Sequence, residues 1–140
     1  MPQVQQILET ALEVADVEAS ERFYRDLFGF RTVFAAGDRL HVLSVHDRQV
    51  LLLFQRGGSV EGSHTPNGFI PGHEAHGTMH MAFAISPADI EPWRAKLTSM
   101  KIEIESETAG PLGSGHAIYF RDPDQHLIEL ATPNIWGFVT

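Results

Sequence analysis

The sequence contains an internal duplication, which constrains the fold strongly because both copies must take the same shape. The stretch "ETALEVADVEAS" superposes without a gap on "HMAFAISPADIE", which sets Glu9 over His80. Further along, "QVLLLF" superposes on "HLIELA", which sets Leu52 over Glu129. We therefore predict that the chain is two copies of one supersecondary module.

The first module has the pattern of a strand, a helix and three strands. Alternation in Ile7 to Ala15 predicts a strand, and Asp16 can cap a helix that Gly29 ends. The apolar stripe of this helix consists of Ala19, Phe23, Tyr24, Leu27 and Phe28. The three strands that follow are "FRTVFA" from Phe30, "RLHVLSV" from Arg39 and "QVLLLFQ" from Gln49.

The second module repeats this order after a connecting segment, residues 57–77, whose glycines, prolines and polar residues predict a loop. The stretch "TMHMAFAIS" predicts a strand, and a helix is expected to begin near Ala88 because Pro92 is tolerated only in a first turn. The stretch "KIEIESE" predicts the next strand. Asp122-Pro123-Asp124 is turn chemistry between the last two strands, the second of which is expected over Gln125 to Thr132.

These elements predict an α+β fold of two tandem βαβββ modules. A length of 140 residues and a hydrophobic content of 43% suit one domain. We place the modules at residues 7–56 and 78–132, and the carboxyl-terminal tail at 133–140. In the tail, exposed Trp136 and Phe138 are expected to pack on a partner chain.

Composition excludes several classes of function. The chain has 10 Lys and Arg against 18 Asp and Glu, a formal net charge of −8, which disfavours nucleic-acid and anionic membrane partners. The absence of cysteine excludes disulfides, thiolate metal sites and a cysteine nucleophile. No stretch approaches the roughly 20 apolar residues of a membrane-spanning helix. We therefore expect a cytoplasmic protein that acts on a small molecule.

Three strands share a pattern in which a side chain that can bind metal is followed two residues later by alanine. The pairs are Glu9 with Ala11, His80 with Ala82, and Glu129 with Ala131. Residues two apart in a strand share a face, and small neighbours leave room for a ligand. Polar residues on a solvated sheet face give the same pattern, so the spacing leaves both a metal site and a solvated face open.

The stretches "ALEVADVEASERFYRDLFGF", "HMAFAIS" and "IYFRDPDQHLIELATP" together resemble the vicinal oxygen chelate superfamily. This group comprises glyoxalases, bleomycin-resistance proteins and extradiol dioxygenases. The resemblance covers nearly the whole chain and includes the duplication. It implies βαβββ modules whose mixed sheet curls around a cavity, and a homodimer.

The resemblance also implies a metal site. Family ligands commonly fall at the positions of Glu9, His80 and Glu129, and one imidazole with two carboxylates suits a divalent ion of Mn, Fe, Zn, Co or Ni. Two neighbouring substrate oxygens would chelate the ion, which acts as a Lewis acid. Glu9 or Glu129 is the expected base, and Tyr119 either donates to a developing oxyanion or packs as a cross-strand aromatic.

Departures from the family pattern bear on the reaction. Many relatives carry histidine at the position of Glu9, so this site would be more anionic. Leu52 stands where glyoxalases carry a fourth ligand, so a true lactoylglutathione lyase is not expected. Gln125 replaces a glycine of the dioxygenase signature, which is matched only in part. Lyase, isomerase and dioxygenase chemistries stay open, and a metal-free protein that binds a drug or metabolite is the alternative.

Other ionisable residues are expected to be structural. Glu13 lies about 13 Å along the strand from Glu9, too far for one metal shell, and is expected at the surface. His126 has the opposite parity to Glu129 and is expected outside. His41 and His116 are expected in satisfied core or rim positions. The connecting segment carries His64, His73 and His76, for which either a solvated loop or a lid is open.

Overall fold

The computed structural model describes residues 1–139 and contains two four-stranded mixed sheets, one in each of two units. The units are Met1–Gly77 and Thr78–Thr140. Each unit has one α-helix, and together they confirm the predicted α+β class.

The first unit follows the predicted order. Its elements are β1 (Glu9–Val14), α1 (Val17–Phe28), β2 (Arg31–Ala36), β3 (Leu40–Val45), β4 (Gln49–Gln55), β5 (Ser63–Thr65) and β6 (Gly68–Ile70). The sheet order is β1-β4-β3-β2, in which β1 and β4 are parallel and the other neighbours are antiparallel. The side chain of Asp16 accepts a hydrogen bond from Ala19 N at 3.1 Å, and Gly29 ends α1 with φ 73°, as predicted.

The second unit repeats the architecture. Its elements are β7 (His80–Ala84), α2 (Ile90–Ser99), β8 (Ser106–Ala109), β9 (His116–Arg121) and β10 (Leu127–Ala131). The sheet order is β7-β10-β9-β8, and β7 and β10 are parallel. A 3₁₀ turn over Pro87–Asp89, capped by the side chain of Ser86, precedes α2.

The strand registers confirm the duplication at the level of single residues. In the first sheet Ala11 stands opposite Leu52, and in the second sheet Ala82 stands opposite Glu129. These are the residues that the sequence superposition had made equivalent. The two copies therefore share both their fold and their strand pairing.

One face of each sheet is apolar and buried, as the alternation predicted. In the second unit this face carries Ile118, Phe120, Ile128 and Leu130. In the first unit the corresponding face carries Leu12, Val14, Leu43, Leu51 and Leu53, and α1 buries Tyr24 and Leu27 in the same unit. The opposite face of each sheet is therefore the one that holds the candidate ligands.

Three features differ from the sequence prediction: one extra hairpin and the starts of two strands. The connecting segment forms a short hairpin from β5 and β6. Strand β8 begins at Ser106 because Lys101, with φ 59°, turns the chain and Ile102 N donates to Leu97 O to close α2. Strand β10 begins at Leu127 because Gln125 takes a left-handed conformation with φ 66°. In the described residues, no helix has the length and apolar character needed to cross a membrane.

Asp122 fixes the turn that leads into β10, and its removal should destabilise the second unit. The side chain is 2% exposed, and its Oδ1 accepts hydrogen bonds from the N–H groups of Asp124 and His126, both at 2.9 Å. Asp122→Ala should lower the free energy of unfolding in urea by about 2 kcal/mol because both donors lose their acceptor. Asp122→Asn keeps an acceptor and should cost less. Equal losses in the two variants would contradict this explanation.

Candidate functional site

His80 and Glu129 are brought together by the parallel pairing of β7 and β10. His80 Nε2 lies 3.1 Å from Glu129 Oε1. Glu129 is only 6% exposed, whereas the His80 side chain is 52% exposed. The carboxylate of Glu129 is therefore not on a solvated sheet face. It is buried, with an accessible imidazole beside it.

The hydrogen bond on the other side of the imidazole fixes which nitrogen faces Glu129. His80 Nδ1 lies 3.1 Å from the carbonyl oxygen of Leu127. A carbonyl only accepts, so Nδ1 must carry the hydrogen, and in a neutral ring Nε2 presents a lone pair to the carboxylate. Two acceptors that face each other need a proton or a cation between them. A ring N–H donated to a backbone carbonyl is also the usual support of a metal-binding histidine.

Tyr119 lies next to this pair. It stands directly opposite Glu129 in the antiparallel pairing of β9 and β10, and its ring centroid is 6.3 Å from that of His80 in a stacked arrangement. It also packs against the apolar cluster of Ala117, Ala131 and Ile135. Tyr119 therefore packs in an apolar cluster and also lies beside the two candidate ligands.

Glu9 belongs to the first unit, on the exposed end of β1. It lines a pocket of about 340 Å³, whose other lining residues include Ala11, Arg39, Leu52, Ser59 and His73. Within residues 1–139, no group of three or more His, Asp or Glu side chains is gathered as around a metal ion. The structure thus unites His80 with Glu129, and the assignment of Glu9 as a third ligand stays a prediction.

The predicted outside position of His126 is wrong, because this residue is completely buried. Its Nδ1 accepts a hydrogen bond from Met79 N at 2.9 Å. The parity argument failed because His126 lies between the left-handed Gln125 and the start of β10, where strand alternation does not apply. His126 holds the turn against the start of β7.

The predicted surface position of Glu13 is also wrong. Glu13 is 4% exposed, and His73 Nδ1 lies 3.3 Å from its Oε1. His73 comes from the connecting segment, and its ring packs against Phe54 at 4.5 Å between centroids. Strand alternation correctly gave the face of Glu13, but it carries no information on which distant segment covers that face.

Burial, and next the negative charge of Glu74, raise the pKa of the Glu13 carboxyl above its usual value. His73 and Arg56 lower this pKa, but they offset only part of the rise. Arg56 is held nearby because its guanidinium donates to Glu13 O at 3.1 Å. Glu13 is a functional candidate that sequence reasoning missed, and no signal in the local sequence marks it.

Three further histidines have structural surroundings. His41 Nδ1 lies 2.8 Å from Glu21 Oε2, and His116 Nε2 lies 2.6 Å from Glu107 Oε1, which agrees with the expected satisfied positions. In the β5–β6 hairpin, the ring of the exposed His64 contacts that of Phe69 in a tilted arrangement, with centroids 4.6 Å apart. Of the three histidines in the connecting segment, His73 is thus the one that lines the pocket.

Comparison with known proteins adds a family match. The family model for the Glyoxalase/Bleomycin resistance protein/Dioxygenase superfamily matches residues 6–130. Fosfomycin resistance protein FosX of Listeria monocytogenes is 27% identical over 123 residues, which cover 85% of this chain and 83% of the relative. Glutathione transferase FosA of Serratia marcescens is 27% identical over 127 residues, which cover 91% of this chain and 80% of the relative.

Solved structures include a similar fold over the whole length. The crystal structure of lactoylglutathione lyase from Agrobacterium tumefaciens superposes with a TM-score of 0.87 and 32% sequence identity. The superposition covers 98% of this chain and 100% of that chain. The likeness therefore extends across both units.

The raised pKa of Glu13 predicts a pH-dependent effect of its replacement. A carboxyl with a raised folded-state pKa stabilises the fold below its unfolded value of 4.5, and this contribution is lost as the pH rises through the folded value. Glu13→Gln should therefore be more stable than the wild type at about pH 8. This difference in stability should disappear at about pH 4. Thermal unfolding across this range checks the prediction.

The exposed Glu61 provides the control for this experiment. Glu61→Gln should leave the shape of the stability profile unchanged. A Glu13→Gln protein that is less stable than the wild type at every pH would contradict the prediction, because the ionised carboxylate would then not destabilise the fold.

Proposed function

Because the chain belongs to the glyoxalase, bleomycin resistance protein and dioxygenase superfamily, we propose that it is a divalent-metal-dependent enzyme acting on a small oxygenated substrate. The observation that carries the proposal is the pairing of His80 with Glu129. An imidazole whose Nδ1–H is fixed by a carbonyl directs its other nitrogen at a buried carboxylate, and this donor set fits a divalent cation.

We propose His80, Glu129 and Glu9 as the ligands. Glu9 is included because it is the counterpart of His80 in the duplication, not because of any contact. One imidazole and two carboxylates suit Mn, Fe, Zn, Co or Ni. Three protein ligands leave coordination positions open, which two neighbouring oxygens of a substrate can fill.

The protein groups around the ion have separate roles in this proposal. When bound, the ion supplies Lewis acidity that polarises the substrate oxygens. The Leu127 carbonyl holds the His80 ring in position through Nδ1. Glu129 and Glu9 are the candidate bases for a substrate proton. Tyr119, opposite Glu129, places a hydroxyl that can donate a hydrogen bond to an oxyanion.

The names of the relatives suggest reactions to test. The fosfomycin resistance protein FosX among the relatives makes fosfomycin a reasonable compound in a substrate screen. The Agrobacterium tumefaciens neighbour is a lactoylglutathione lyase, but we do not propose that activity here. Leu52, the counterpart of Glu129 in the first sheet, can neither bind a metal nor accept a proton. We also propose a homodimer, which would cover the exposed Trp136 and Phe138.

Metal content tests the proposed site directly. Elemental analysis of untagged protein, before and after treatment with a chelator and reloading, should give near-stoichiometric metal in the wild type. His80→Ala and Glu129→Ala should each lower the affinity for the metal by more than about 100-fold because each removes a ligand. The exposed turn residue His46 provides the control, since His46→Asn removes a histidine and suits the residue's φ of 56°.

Either of two results would contradict the site. One is a Glu129→Ala protein that retains the metal of the wild type. The other is a wild type that holds no metal and takes none up, which would favour the metal-free binding protein instead.

The position of Leu52 predicts the outcome of a glyoxalase assay. Metal-loaded protein should not isomerise the adduct of methylglyoxal and glutathione, whichever of the five metals is supplied, because the fourth ligand is missing. Formation of lactoylglutathione is followed by absorbance. Turnover that depends on His80 would show that Leu52 does not prevent this reaction.

A further inference from the structure

The pocket that contains Glu9 has a second polar region, built from residues that the proposed metal site does not use. Its apolar lining is formed by Ala11, Leu40, Leu52, Phe54, Ile70 and Pro71. Arg39, Ser59 and His73 add polar groups to its wall. A mostly apolar cavity with a few polar groups is the usual form of a small-molecule site.

Arg39 supplies a positive charge without a partner. The residue is half-buried, and its Cγ lies 3.4 Å from where a Cβ on Gly58 would stand, so its stem packs beside the turn that leads to Ser59. Within residues 1–139 its guanidinium has no carboxylate or hydrogen-bond partner. A partly buried guanidinium has five donors in a planar fork, which match an oxyanion.

Ser59 supplies a hydroxyl that lacks a protein partner. The residue is 3% exposed, and its Oγ is buried without a hydrogen bond to any described group. Its carbonyl accepts from His73 N at 2.8 Å, which fixes the residue in the pocket wall. A buried hydroxyl without a partner is costly, so rotation of this enclosed Oγ toward a ligand oxygen in the pocket would remove that cost.

The charge balance favours a single negative charge on the ligand. The other ionisable group of this region, His73, is already paired with Glu13. One unpaired guanidinium and one hydroxyl match a carboxylate, which binds the fork of arginine in a planar, bidentate way. A dianion would need a second cation.

Strand geometry places this region far from Glu9. Glu9 stands opposite Val50, whereas Gln55 N donates to Arg39 O, and the five residue steps along β4 from Val50 to Gln55 span about 16 Å. A ligand that spans this pocket would therefore meet polar groups at both ends and apolar side chains between them.

We propose that the pocket binds an organic carboxylate with an apolar body, whose carboxylate contacts Arg39 and Ser59. The inference rests on the proposed function only for the statement that this molecule is the substrate, with its oxygenated end toward Glu9. Carboxylate binding itself depends on the first unit alone.

The test measures binding to the full-length, metal-free protein by calorimetry, with octanoate as the probe and octanamide as its uncharged match. The wild type should bind octanoate, and octanamide should bind at least about tenfold more weakly because it cannot form charge-assisted hydrogen bonds. Arg39→Gln should weaken octanoate binding by about tenfold or more, and Ser59→Ala by a few-fold. Arg48→Gln, which removes an exposed charge outside the pocket, should have no effect.

Several results would overturn the inference. These are no binding of octanoate by the wild type, equal binding of octanoate and octanamide, or unchanged binding in Arg39→Gln. Tighter binding of octylphosphonate than of octanoate would overturn the assignment of a carboxylate. Failure of the metal site is separate: octanoate binding that depends on Arg39 in a protein that takes up no metal would sustain this inference and reject the proposed function.

Discussion

The parallel pairing of the first and last strands of each module is the constraint on which the candidate site depends. It makes β10 a central strand, with β7 on one side and β9 on the other. Glu129 therefore has His80 and Tyr119 as neighbours on one face of the sheet. A shift of one residue in this register would turn Glu129 toward the apolar core and leave His80 without its carboxylate.

The two copies use one architecture for different chemistry. At equivalent positions the first sheet has Glu9 and Leu52, and the second has His80 and Glu129. Leu52, the counterpart of Glu129, gives the first sheet an apolar wall, which suits the body of an organic molecule. Duplication thus gives one copy a histidine–glutamate pair and the other an apolar pocket.

Much of the fold was predictable because its determinants are local. The cap of Asp16, the left-handed Gly29 and the alternation of each strand act within a few residues of one another. The grouping of His80 with Glu129 came from the family resemblance, because strand spacing alone left a solvated sheet face equally open. The hairpin in the connecting segment was not predicted, since glycines and prolines mark a turn without showing whether its arms pair.

The sequence by itself determined the modules, the sheet faces and which residues share a face, because alternation and capping are short-range properties. Only the tertiary structure decided which polar side chains are buried. Glu13 is covered by His73, which lies far along the chain, and no local pattern encodes that contact. The same holds for Arg39 and Ser59, which line one pocket because the connecting segment folds back on the first sheet. Burial sets the electrostatics of these groups, and burial depends on the packing of distant segments.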